Sequence, residues 1–163
     1  LTWEMWVECG EDGMGRIAVY AMFIIVVLVI GFGTGMTVEP GGWYESLVKP
    51  SFTPPNSVFG PVWGVMYLLI AVAGARTWLR ERTERPFWLW IIIPALTFIW
   101  TPIFFGAQMT VLAAVVVVAL WLAVAVFIRD RWQADPPTAW MMVIYLLWLS
   151  YATALNLGIV WLN

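Results

Sequence analysis

A chain of 163 residues has room for one domain, and a composition that is 63% hydrophobic and 11% charged, with mean hydropathy +0.86, carries more apolar surface than so small a body can bury in water. The net charge of −2 and the lack of any basic patch give no reason for a nucleic-acid partner. The single cysteine, Cys9, excludes an intrachain disulfide, and the absence of histidine removes the commonest metal ligand and the usual base near neutral pH.

Charged residues punctuate the chain at about the 20-residue interval that a helix needs to cross a hydrocarbon core. Five spans are predicted, over residues 17–38, 57–79, 86–105, 109–128 and 138–162. The third and fourth share an uncharged run that breaks near Gly106-Ala107-Gln108. The first apolar stretch is too long and too acidic in its N-terminal flank for a cleaved leader, and no small-residue cleavage site follows it cleanly, so it reads as a retained helix. Continuous apolar runs argue against a β-barrel. The expected fold is an all-α membrane protein, a five-transmembrane-helix bundle with a long structured loop between helices 1 and 2. Arg16, Arg76, Arg80, Arg82, Arg85, Arg129 and Arg131 fall on one side and only Lys49 on the other. The N-terminus is therefore expected in the cytoplasm of a bacterial-type cell.

The loop carries the most information. Trp43 to Lys49 can form a short helix that Pro50 ends, and Pro54-Pro55 forces an extended stretch. Ser57 is placed to cap the second span, with Pro61 in its first turn. The expectation is a stiff lid over the bundle mouth.

The segment WYESLVKPSFTPPNSVFGPVWGVMY (Trp43–Tyr67) resembles the first-loop signature of the TspO / translocator protein family, also called peripheral-type benzodiazepine receptors. WTPIFFGAQM (Trp100–Met109) is similar to that family's third-span motif, and YLLWLSYATALN (Tyr145–Asn156) to its fifth-span motif. The resemblance runs in order from about Gly42 to the end. It implies a five-helix bundle, a homodimer, and binding of porphyrins and other tetrapyrroles, of sterols in some members, and of benzodiazepine-type ligands beneath the first loop. Carried over to this chain, it points to Trp43, Phe52, Trp63, Trp100, Trp148, Ala152 and Leu155 as lining residues. Phe104 of the FFG motif and the polar handles Tyr67 and Thr97 complete the candidate set. Phe52, Ser57 and Thr97 depart from the family pattern, and a tryptophan usual after the FFG motif is replaced by Thr110 or Val111. No Lys or Arg follows Tyr151, which weighs against a sterol site.

Each feature also has a plainer account. Interior tryptophans fill helix–helix space in many membrane proteins; the motifs favour ligand contact for Trp63, Trp100 and Trp148, whereas Trp121 stays with packing. Trp78, Trp88, Trp90, Trp132, Trp140 and Trp161 read as interfacial belt residues, whereas Trp3 and Trp6 carry no reading beyond an open option of contact with the membrane surface. The Gly31/Gly35 and Gly60/Gly64 pairs read as close helix packing before dimer contact. Asn156 is expected to bond a neighbouring helix or a carbonyl freed near Pro94 or Pro102. Lys49 could meet a porphyrin carboxylate, loop carbonyls or lipid phosphate.

A tetrapyrrole receptor or carrier is the leading functional expectation. The alternative is a light- and oxygen-dependent porphyrin-degrading enzyme that uses Trp63 and Trp148, which the family resemblance places on the second and fifth spans. No metal, cofactor or acid–base machinery is expected, and the uncharged cores of the spans (17–38, 57–75, 86–128 and 136–163) hold no charged residue of the kind an ion pathway needs. Membrane lipids are the remaining partner.

Overall fold

The computed structural model describes the backbone of residues 3–37 and 41–163, and the side chains of residues 13–36 and 41–163. The side chains of Trp3, Trp6 and Cys9, and the end of the first predicted span at Val38, lie outside the described residues. Among the described residues six α-helices follow in order: α1 (Trp3–Thr37), the short α2 (Gly42–Ser46), α3 (Asn56–Glu81), α4 (Arg85–Thr101), α5 (Thr110–Ala134) and α6 (Pro136–Leu162). A π-helical turn, Pro102–Gly106, extends α4. Five segments are long and apolar enough to cross a membrane: Gly13–Met36, Asn56–Glu81, Arg85–Gly106, Thr110–Ala134 and Pro136–Leu162. No strand occurs among the described residues.

Helices α3, α4, α5 and α6 form a closed ring in which each packs on the next, and α1 lies outside it against α3 and α4. Prolines mark three of the helix starts. Pro86 stands in the first turn of α4, and Pro136 and Pro137 open α6, where a missing N–H leaves no bond unmade. Helix α3 begins one residue before the expected cap. Pro55 occupies the N-cap position without a side-chain bond, so Ser57 is helical, and Pro61 falls inside α3 rather than in its first turn. There it removes the bond to the carbonyl of Ser57, near an end where water or headgroups replace it.

The ring interior is filled by Ile70, Ile93, Leu120, Met142, Tyr145 and Leu149, all essentially without exposure. Close approach of α3 and α4 depends on Gly74. A Cβ there would stand 2.3 Å from the Trp90 ring. Without it, the Trp90 indole reaches past the helix surface and donates to the Ile70 carbonyl at 2.9 Å. Trp90 is 7% exposed and stacks on Phe87, so it belongs to the core and not to the interfacial belt. Trp88, Trp132, Trp140 and Trp161 are exposed near helix ends, as a belt requires. The Trp121 indole donates to Ser150 across α5 and α6, a packing role.

The end of the bundle remote from the lid is tied by ion pairs that the charge spacing alone did not show. Arg76, inside α3, meets Asp135 at 2.6 Å and also donates to Thr138. Arg131 meets Glu81 at 2.8 Å, and Arg85 meets Asp130 at 3.3 Å. Helix α5 therefore runs on to Ala134, past the predicted end at residue 128, because its last turn is fastened to α3 and α4. The arginines that read as loop punctuation are in part helical and paired. A charge at such a depth is tolerated only when it has a partner.

Candidate functional site

At the opposite end, the segment between α1 and α3 folds back over the bundle. The Tyr44 ring on α2 is buried against Phe104 and Phe105, with centroids at 6.3 and 5.3 Å. Burial pushes the Tyr44 hydroxyl up from its ordinary range, so it stays neutral in ordinary buffers. Three contacts fasten the following residues to α6. Val48 N–H donates to Asn163 Oδ1, and Asn163 Nδ2 donates back to the Val48 carbonyl, both at 3.0 Å. Pro50 sits on Gly158, where a Cβ would come within 2.5 Å of its ring. The Tyr151 hydroxyl donates to the Phe52 carbonyl at 2.7 Å. Lys49 is spent within the loop: its Nζ donates to the carbonyls of Glu45 and Leu47 at 3.2 Å and lies over the Tyr44 ring. Asn163→Ala removes both amide bonds of the clasp. At about 0.5–1.5 kcal/mol each, their loss is expected to raise amide exchange across residues 47–53 roughly tenfold while the melting temperature of the bundle hardly moves.

Beneath this lid lies a cavity of about 350 Å³. Its walls come from Gly31, Phe32 and Gly35 on α1, Phe59, Trp63 and Tyr67 on α3, Trp100 and Thr101 on α4, and Ala152, Leu155 and Asn156 on α6; Tyr44, Phe104 and Phe105 close the lid end. Only α5, among the spanning helices, stays out of it. The Trp100 ring stacks on Phe104 at 5.0 Å. That pairing is set by the π turn, in which the Ala107 N–H bonds the Pro102 carbonyl and swings both FFG rings to one face. Gln108 then turns the chain into α5 with φ of 58°, so the left-handed residue is the glutamine and not Gly106. Asn156 holds the floor. Its Oδ1 accepts from the Trp100 indole and its Nδ2 donates to the Thr110 carbonyl, each at 3.0 Å. It does bond a neighbouring helix as expected, but at the start of α5 and not at a proline-freed carbonyl.

Six of the ten sequence candidates meet at this cavity: Trp63, Tyr67, Trp100, Phe104, Ala152 and Leu155. The other four stand around it. Trp43 packs edge-on to Phe104 at 5.8 Å, one layer outside. Phe52 is 52% exposed on the lid, against Tyr151. Trp148 lies behind Trp63 at 6.3 Å, and its enclosed indole N–H has no partner among the described residues. The Thr97 hydroxyl donates to the Ile93 carbonyl at 2.7 Å and lies 2.8 Å from the Tyr145 hydroxyl; it faces only a gap of about 10 Å³ below Trp63 and Trp100. Residues missed by sequence reasoning include Thr101, Phe59 and the α1 face. Thr101 is the informative one: it adjoins Trp100 in the motif and lines the cavity.

The fold and this aromatic cavity define an integral multi-pass membrane protein with a largely apolar chamber under one end. The chain belongs to the TspO/MBR family, whose model matches residues 22–162. It is 33% identical to Protein CrtK of Rhodobacter capsulatus, over 90% of this chain and 94% of that one. It is 34% identical to the Tryptophan-rich protein TspO of Archaeoglobus fulgidus, over 86% and 94%, and 36% identical to the human Translocator protein, over 70% of each. Family membership, together with the sensory and translocator names of its relatives, supports a membrane receptor role.

Proposed function

We propose that the protein is a receptor or carrier for porphyrins and related flat, apolar ligands, which it holds in the cavity beneath the lid. The observation that carries this reading is the enclosure of about 350 Å³ by Trp63, Tyr67, Trp100 and Phe104 with few polar groups among them. Wide aromatic faces suit a conjugated macrocycle, and sparse polar atoms orient it without demanding charge. The arginine-rich end supports a cytoplasmic N-terminus and an outward-facing lid.

Titration of the purified protein with metal-free porphyrin in the dark tests the reading. Saturable quenching of tryptophan emission is expected, weakened about tenfold in Trp100→Leu, which corresponds to about 1.4 kcal/mol. Absence of quenching in the wild type would refute porphyrin binding.

A second reading has its own observation. Trp63 lines the cavity, and Trp148 stands behind it with ring centroids 6.3 Å apart. A light-excited porphyrin could take an electron from this pair and pass it to oxygen as superoxide; the tryptophan radical would then be re-reduced by the porphyrin, whose radical cation combines with superoxide, so that the macrocycle is the net electron donor and oxygen the oxidant. Loss of porphyrin absorbance under light and oxygen in the wild type, abolished by Trp63→Phe or Trp148→Phe, supports that activity. Stable absorbance in the wild type leaves binding alone.

A further inference from the structure

The cavity is closed at both of its ends and open on one flank. Toward the lid, Tyr44 seals it, and the Asn163 clasp, the Pro50 seat on Gly158 and the Tyr151 bond hold the covering residues to α6. Toward the charged end, the layer of Ile70, Ile93, Leu120 and Met142 is solid. Between α1 and α3 the wall is thin. Phe32, Gly35, Asn56 and Gly60 line the cavity and are also exposed on the outside of the bundle. Among the described residues nothing lies within 4 Å of where a Cβ on Gly35 or Gly60 would be, so neither helix fills the space that the other leaves. Phe32 is the large side chain that α1 sets at this opening. It is 46% exposed and rests edge-on against Tyr67 at 5.8 Å. The lining is also uncharged: none of the eight Lys and Arg residues, all of them among the described residues, borders the cavity. The nearest candidate, Lys49, is taken by loop carbonyls.

We propose that ligand enters sideways from the bilayer through this opening between α1 and α3, ring system first, with any carboxylates left outside near Asn56 at headgroup level and with Phe32 as the door. The proposal rests on the binding reading above and specifies its route and orientation. An apolar ring partitions into lipid before it meets the protein, and a flank opening receives it without exposing it to water. A carboxylate drawn into an uncharged chamber would meet no cation to offset its desolvation, so the acid edge stays out.

The test measures binding rates by stopped-flow tryptophan quenching in lipid vesicles, with a dicarboxylic porphyrin and its dimethyl ester as probes. Gly35→Leu with Gly60→Leu narrows the opening, and leucine is the better helix former at both positions, so the bundle stays folded. Association and dissociation rate constants are both expected to fall about tenfold, as a shared passage requires and within the spread seen among variants of one binding surface. Phe32→Ala is expected to raise both. At fixed porphyrin and protein, added lipid should slow association in proportion to the lowered density of porphyrin in the bilayer. The ester should bind within about threefold of the diacid, a difference of less than about 1 kcal/mol. Unchanged rates in all variants, or an ester that fails to bind where the diacid succeeds, overturns the side opening or the acid-out orientation. Absence of binding of either probe to the wild type overturns the porphyrin reading instead, and this proposal with it.

Discussion

Asp135→Ala is expected to destabilise the bundle by about 2–3 kcal/mol, at or just below the low end of the roughly 3–5 kcal/mol for breaking a fully buried ion pair, because Arg76 retains some access to water. The melting temperature should fall by about 5–10 °C for a chain of this size. The Asp135 side chain is only 2% exposed and serves Arg76, Arg80 and Thr138 from the junction of α5 and α6. Its removal leaves the part-buried Arg76 guanidinium without its carboxylate, weakens the hold on Arg80 and unfastens α3 from the start of α6. Burial by itself would push the Asp135 carboxyl up. The hydrogen bonds from Arg76 and Thr138 and the attraction of the two arginines outweigh it and hold the carboxyl below the usual range. A carboxylate with a depressed folded value contributes stability that is fully present above its unfolded value of about 3.9 and is lost as pH falls through the folded one. Thermal melts of wild type and Asp135→Asn should therefore differ at pH 5–8 and draw together as the medium is acidified below about pH 4. A gap that persists at the lowest pH would rule out the charge as its source.

Asn156→Leu is the second large effect, and it falls on the site. Inter-helix hydrogen bonds in membrane proteins contribute about 0.6 kcal/mol on average and up to about 1.7. Asn156 makes two, and its loss leaves the Trp100 indole N–H without its acceptor and removes the inter-helix bond to the Thr110 carbonyl. A stability loss of about 2 kcal/mol is expected, in keeping with what unsatisfied buried groups cost. The more telling result is at Trp100. Freed from Asn156, its ring no longer holds the stack on Phe104, so porphyrin affinity should drop about tenfold, or about 1.4 kcal/mol. Denaturation in mixed micelles gives the first quantity and dark quenching titration the second. A stable variant with wild-type affinity would show that Asn156 does not position the floor.

The spans were legible because lipid imposes a local rule. Every backbone group must bond within its own helix, so length and charge spacing suffice to find the five crossings. The break at Gly106-Ala107-Gln108 was legible for the same reason. The motif tryptophans Trp63 and Trp100 led to the cavity, with Ala152 and Leu155 opposite them on α6. Trp90 was misjudged because a tryptophan near a span end reads as interfacial unless one knows that Gly74 on another helix opens a slot for it. Thr97 looked like a polar handle and proved to be committed to Ile93 and Tyr145, which depends on how α4 meets α6.

The sequence by itself determined a five-span helical membrane protein, the lid segment from Trp43 to Trp63 and its TspO/MBR kinship, because apolar run length and short motifs are local properties. Only the tertiary structure decided which aromatic rings face a common space, which arginines find acids, and where the cavity wall is thin. Those depend on rotation and register between helices, fixed by close contacts such as Tyr67 on Gly31, Trp90 on Gly74 and Pro50 on Gly158. In each of these, a ring meets a glycine from a distant part of the chain, and no local pattern records the meeting.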